Sequence, residues 1–311
     1  MQEIIRPVER DLLKKELTQE YFVRNTNNGE RDIYIVDAHV APNLMEEIGR
    51  LREITFREVG GGTGKDKDID VYDVAESAFK QLIVWDREDE EIVGGYRYIE
   101  GDKIPKGEDG NLLSATSKLF WFSDDFVQNY MPYTIELGRS FVQPKYQPNF
   151  NIRKGLYSLD NLWDGLGALV IDNEHIKYFF GKFTMYPSYD RYARDVILRF
   201  LQKYFPDPDK LVRPFNPMAI THSIEDIDAQ FDGESYQDDY KIMVQLVRKH
   251  GENVPPLVNA YMNLSATMKT FGTSLNPGFG NVEETAILIS IPDIYDGKVR
   301  RHFINYNKKS K

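Results

Sequence analysis

The 311-residue sequence predicts a mixed α/β fold, a central sheet with helices packed on its faces. Strands alternate with helices along the chain. The central strands are hairpin-linked rather than joined by long crossovers. No repeat or low-complexity segment interrupts them. The length suits one large domain or two modest ones with a sizeable core. Hydrophobic residues make up 41% and charged residues 28%, a globular composition.

Taken in order, residues 7–19 set Val8, Leu12, Leu13 and Leu17 at helical spacing among charges. "RDIYIVDA" (31–38) alternates and reads as the first strand. "PNLMEEIGRLREITF" (42–56) reads as a helix opened by Pro42, with Leu44, Ile48, Leu51 and Phe56 on one face. A Gly- and Asp-rich loop fills 59–73. "AFKQLIVWD" (78–86) and "EIVGGYRYIEG" (91–101) form a hairpin. A long polar loop (102–115) and a short aromatic stretch (117–123) follow. "TIELGRSFVQPKY" (134–146) is the next strand, and a loop runs to residue 157. Then come a helix (159–172), a strand (178–185) and a helix (189–205) stopped by "PDPDK". The polar segment 206–254 holds one helix near 238–250, and 255–268 is another. "TSLNPGFGN" reads as a turn-rich loop, with strands at 285–291 and 300–306.

Several function classes find little support. With no cysteine there is no disulfide, thiolate metal site or cysteine nucleophile. That also fits a reducing cytosol. The first twenty residues are charged and lack an apolar h-region, so they do not read as a signal peptide, and no apolar run approaches a membrane span. A net charge of −10 argues against bulk nucleic-acid binding. "VGGGTGKDKD" (59–68) fails the phosphate-loop pattern at Val59 and Asp66, and "DKDIDVYD" (66–73) fails the calcium-loop pattern at Val71 and Ser77. His39, His175, His222, His250 and His302 form no pair at metal-ligand spacing, and no metal is expected. There is no G-x-S-x-G elbow.

The stretch 134–146 raises the functional question. Glu136 and Arg139 interrupt an apolar strand, and burying either unpaired would cost several kcal/mol. On a regular strand Glu136 shares a face with Gly138 and Ser140 while Arg139 points away, unless a bulge near Gly138 changes this. The pair either orders the strand as an ion pair or faces a site. After Pro144 a loop with Arg153, Lys154 and Gly155 enters a helix near Ser158–Asp160, an order suited to cradling an anion. Arg97 in "GGYRY" either joins that site or is a surface arginine stacked on tyrosine. Trp121 and Trp163 read as core rather than as walls of an acyl tunnel.

"TIELGRSFVQPKY" followed by "GLYSLDNLWDGLGALV" resembles the strand-loop-helix core of GNAT-type acyltransferases. The closer resemblance is to the hemolysin-like branch of ornithine and glycine N-acyltransferases of aminolipid synthesis. "LREITFRE" with "DIDVYD" (51–73), "EIVGGYRYIEG" (91–101), and the segment 254–291 with "RRHF" (300–303) agree in the same order, covering about residues 31–304. The branch is also similar to acyl-homoserine-lactone synthases.

The resemblance implies a GNAT-type mixed central sheet flanked by helices. Residues 1–30 would be an N-terminal extension and 31–311 the acyltransferase domain, with a helical insertion at 206–283 before the C-terminal strands. It implies an acyltransferase with no cofactor, moving a (3-hydroxy)acyl chain from acyl carrier protein to the amine of glycine or ornithine to give a lyso-aminolipid. Coenzyme A is disfavoured as donor, because the Arg/Gln-x-x-Gly-x-Gly/Ala pyrophosphate signature does not follow the strand. Glu136 would be the base or water-positioning residue and Arg139 its catalytic partner. Arg97, Asp70, Asp73, Ser140 and Val142 would bind substrate, Asp70 and Asp73 on the acceptor side. An acidic carrier needs a local basic patch. The expected patch is Arg191, Arg194, Arg199 and Lys203, which could equally be a solvated helix surface; the tail "NKKSK" is the alternative. The expected location is cytoplasmic, with transient contact at the inner-membrane surface. One rival is a homoserine-lactone-like synthase using S-adenosylmethionine, disfavoured because 206–304 follows the aminolipid branch. The other is a non-catalytic acyl- or lipid-binding protein of the same fold, against which intact Glu136 and Arg139 argue.

Overall fold

The computed structural model describes residues 1–108, 110–231, 233, 235–304 and 306; the tail "NKKSK" lies outside the described residues. Ten strands occur among them: β1 (Phe22–Asn25), β2 (Arg31–Val36), β3 (Lys80–Asp86), β4 (Glu91–Glu100), β5 (Phe120–Phe122), β6 (Thr134–Val142), β7 (Tyr178–Met185), β8 (Val212–Pro214), β9 (Lys269–Asn276) and β10 (Val282–Ser290). Eight form one sheet in the order β1-β2-β3-β4-β6-β7-β10-β9, and β5 pairs with β8 separately. Every neighbour in the large sheet is antiparallel except β6 and β7. That parallel pair holds only over Thr134–Glu136 against Tyr178–Phe180, and beyond Glu136 the two strands part.

Alternation along the strands divides the core by face. On one face Ile33, Leu82, Val84, Tyr96, Ile135, Leu137, Phe179 and Ile287 pack under the helices Ser158–Asp172, Arg191–Tyr204, Tyr236–Lys249 and Pro256–Met262. On the other face there are two apolar clusters. Ile83, Trp85 and Phe141 lie under the helix Pro42–Glu58, while Phe79, Ile99, Phe120, Phe126 and Phe180 pack beneath the β5–β8 layer. Buried charges, Arg52, Asp68, Asp73, Arg97 and Glu136 among them, belong to neither cluster.

Three expectations change. The described residues of 300–306 form no strand: a helix spans Asp296–His302, closed by basic residues in its last turn. Lys269–Asn276 is the edge strand β9, which takes in the start of the stretch expected as a turn-rich loop, held by its hairpin with β10 and by a 2.7 Å hydroxyl contact between Thr273 and Thr285. Residues 206–283 therefore carry strands β8 and β9 as well as helices. The segment 1–30 supplies β1 at the other sheet edge. Among the described residues no helix is long and apolar enough to cross a membrane.

Candidate active site

Where β6 and β7 part, a cavity of about 550 Å³ opens, lined from β6 by residues 136–142 and from β7 by Lys182, Phe183 and Thr184. Its lining includes exposed Leu156 beside the helices of one face and exposed Val59 beside the helix Pro42–Glu58 of the other. The cavity thus crosses the sheet at the split.

A bulge sets the geometry of β6. Gly95 pairs with Phe141 and Arg97 with Gly138, so Arg139 and Ser140 together oppose Tyr96. Arg139 adopts a left-handed φ of 48°, rare for a side chain of its size. Gly94 permits the close β4–β6 approach here, since a Cβ on it would lie 2.3 Å from the Phe141 carbonyl oxygen.

Glu136 and Arg139 do not pair with each other. The bulge sends the Arg139 guanidinium to Asp68, with Nε 2.7 Å from Oδ2, and across the Phe279 ring at 4.1 Å. Glu136 is 1% exposed. Its Oε1 accepts from the Thr116 N–H at 3.3 Å, Oε2 has no hydrogen-bond partner among the described residues, and Glu136 lines the cavity. The ion-pair reading of these two residues is therefore set aside.

The acidic loop is committed to arginines. Arg97 donates to Asp70 at 2.9 Å and to Asp73 at 3.1 Å. Arg52 donates to Asp73 at 3.1 Å and to Gln81. Asp70 caps the short helix Val71–Val74 and exchanges hydrogen bonds with Asp73 in a capping box. Burial alone would raise the Asp73 carboxyl, but Arg52 and Arg97 hold it well below the ordinary carboxylate range. Asp70 and Asp73 do not line the cavity; they orient Arg97, which does. Arg97 is 2% exposed and lies over the Phe79 ring, so it is not a surface arginine stacked on tyrosine. Ser140 and Val142 line the cavity, and the Val142 carbonyl accepts from Gln147 Nε2 at 2.8 Å.

Lys182 and Glu284 are the site residues that sequence reasoning missed. Lys182 donates to Thr116 Oγ1 at 3.0 Å and lies 3.6 Å from Glu284 Oε2. Glu284 is 4% exposed, and that oxygen has no hydrogen-bond partner. The available signal was the one that marked Glu136, a charge inside an apolar strand: Lys182 in "YFFGKFTM" and Glu284 in "VEETAILISI".

The expected anion cradle after β6 is largely closed. The N–H groups of Phe150, Asn151, Lys154 and Gly155 already donate within the loop. The Lys154 ammonium is held by Asp89, whose carboxyl is lowered to about 2 by its hydrogen bonds from Lys154 and Tyr146. The glycine-rich loop closes on a carboxylate of this chain: the N–H groups of Thr63 and Gly64 donate to Glu53. Trp121 and Trp163 do not border the cavity.

The cations expected to dock a carrier are paired within the chain. Arg194 is 2% exposed and binds Glu283, Asp195 and the Ala219 carbonyl. Arg191 pairs with Glu283, Arg199 forks onto Asp228 at 2.5 and 2.6 Å, and Lys203 meets Asp239 at 2.7 Å. These cations fasten the helix Arg191–Tyr204 to its neighbours.

Comparison with known proteins agrees with this architecture. An acetyltransferase (GNAT) domain model matches residues 51–154. The chain is 52% identical over 309 residues to a Glycine N(alpha)-acyltransferase of Phocaeicola vulgatus, covering 99% of this chain and 95% of the relative. It is 54% identical over 302 residues to a Glycine N(alpha)-acyltransferase of Bacteroides thetaiotaomicron, covering 97% and 90%. A solved CoA-dependent acyl-homoserine lactone synthase, BjaI, with MTA, overlaps 90% of this chain and 93% of its own at 11% identity and a TM-score of 0.38, too distant to carry function. The chain is an acyltransferase enzyme with a GNAT domain and belongs to the family of these two relatives.

Proposed function

We propose that this enzyme transfers an acyl chain from an acyl carrier protein thioester to the amine of glycine, giving an N-acylglycine lyso-aminolipid. The observation that carries the proposal is Glu136, a buried carboxylate that lines the cavity crossing the split sheet and whose Oε2 has no hydrogen-bond partner among the described residues. Glycine rather than ornithine is favoured as acceptor by the names of the two relatives.

Glycine's amine is protonated near neutral pH. Glu136 accepts one ammonium proton, directly or through water. The freed lone pair attacks the thioester carbonyl. The C–N bond forms and the C–S bond breaks. Of the two protons lost by nitrogen, one ends on the leaving sulfur and one passes to solvent. Beyond Glu136 the β7-facing edge of β6 has no strand partner, so its N–H groups are available to the oxyanion. A carrier protein is favoured over coenzyme A because the loop after β6 already uses N–H groups that a pyrophosphate would need.

The test supplies purified enzyme with acyl carrier protein thioester or acyl coenzyme A, each with glycine or ornithine, and identifies products by mass spectrometry. N-acylglycine formed mainly from the carrier thioester is expected. Product only with ornithine, or equal use of both donors, would overturn the corresponding part.

A further inference from the structure

We propose that Lys182 and Glu284 complete, with Glu136, a subsite that grips the acceptor by both of its charges. This rests on the functional reading above and extends it to residues that the reading does not use.

Charge balance leads to it. Arg52, Arg97 and Arg139 are matched by Asp68, Asp70 and Asp73 through direct contacts. Lys182 is left with Glu136 and Glu284, one cation against two carboxylates. Both carboxylates are buried, each has one oxygen without a hydrogen-bond donor, and all three side chains border the same cavity. A buried carboxylate oxygen is unfavourable until a donor reaches it. An ammonium group donates to both free oxygens, while glycine as a zwitterion leaves the net charge of the group unchanged and brings a carboxylate that needs a cation of its own.

The sheet brings these side chains together. Glu136 sits opposite Phe180 at the last paired position of β6 and β7, and Lys182 follows two residues on, on the same face. On β10, Ala286 pairs with Lys182 and Glu284 with Thr184, so Glu284 lies diagonal to Lys182. Thr116 ties the group together through its N–H to Glu136 and its hydroxyl to Lys182.

Roles follow from valence. The acceptor's ammonium lies between the free oxygens of Glu136 and Glu284. Its carboxylate meets Lys182, whose ammonium has donor capacity beyond the bond to Thr116. After acylation the nitrogen is a neutral amide and can no longer bridge two carboxylates, so the head of the product is held less tightly than that of the substrate.

The test varies glycine, and separately glycinamide, at saturating acyl donor for wild type, Glu284→Gln and Lys182→Met. Glycinamide keeps the amine and lacks the carboxylate. Glu284→Gln is expected to raise KM for both acceptors by about tenfold, the scale of one charge-assisted hydrogen bond. Its kcat and donor KM should change less than threefold. Lys182→Met is expected to raise KM for glycine while leaving glycinamide nearly unchanged. An unchanged glycine KM in Glu284→Gln, equal effects on both acceptors in Lys182→Met, or a Glu284→Gln protein that no longer folds would overturn the proposal. Thermal melts separate this proposal from the broader reading. At equal concentration glycine should raise the melting temperature of wild type more than that of Glu284→Gln, even if glycine is not acylated. No shift in wild type would overturn the subsite, and a shift without turnover would overturn only the acyl-transfer reading.

Discussion

Burial of the Glu136 carboxylate is offset by a single 3.3 Å hydrogen bond from Thr116, with no cation in direct contact. An unpaired buried charge costs several kcal/mol, so the position is poor for stability and suited to a donor that the substrate brings. Glu136→Gln keeps the shape and the acceptor toward Thr116 while removing the base. Turnover is expected to fall on the order of 10²–10⁴-fold, with the melting temperature unchanged or slightly higher. Full retention of turnover would remove Glu136 from the chemistry, and a large drop in melting temperature would return it to a structural role. Arg139 behaves differently. Its left-handed backbone and its contacts with Asp68 and Phe279 mark it as the residue that holds the bulge and the acidic loop together.

Among the elements, the helix Arg191–Tyr204 illustrates what amphipathic pattern alone can and cannot tell. Its start, length and apolar face were legible in "YDRYARDVILRFLQKYF", and the hairpin of β3 and β4 and the strands β6 and β7 were equally clear. The partners of its charges were not, because Glu283, Asp228 and Asp239 arrive from distant segments. Edge strands β1 and β9 escaped for a related reason: they are short or rich in small polar residues and are fixed by pairing more than by propensity. The same limit hid the true partner of Arg139, since a bulge between Gly138 and Phe141 cannot be placed without the opposing strand.

The helix also yields a pH test. Burial would raise the Asp195 carboxyl, yet hydrogen bonds from Arg194, His222 and Thr221 bring it down to about 2. A depressed value means that the unfolded chain binds protons more readily between about pH 4 and pH 2. The stabilisation is therefore full above about pH 4 and disappears as the pH falls through about 2. Its size is about 2 kcal/mol. Urea unfolding of wild type and Asp195→Asn should differ by at least that much at pH 7, with the gap narrowing steadily below pH 4. A gap independent of pH would show that Asp195 contributes through shape rather than charge.

At the scale of the whole molecule, the proposed donor requires a chain of net charge −10 to approach an acidic carrier protein. Long-range repulsion would slow that encounter unless a local cation guides it. The cations of the helix Arg191–Tyr204 are already paired with Glu283, Asp195, Asp228 and Asp239. Reversing Arg191 and Arg194 to Glu would set new carboxylates against Glu283 and Asp195 and unfold the region. Arg153 is better situated. It is exposed and makes no ion pair among the described residues; it sits on the short helix Ile152–Gly155, and the segment around it contributes Asn149, Gly155 and Leu156 to the cavity wall. Exposed Phe150, Ile152 and Leu156 flank it, giving apolar contact around one charge. Arg153→Glu should raise KM for the carrier-linked donor several-fold in low salt and less in high salt, because screening weakens interactions between exposed charges. KM for an acyl-pantetheine thioester should not move, since that small donor has no acidic surface to guide. Equal losses with both donors would mean that Arg153 shapes the cavity instead, and unchanged kinetics would exclude this loop from carrier recognition.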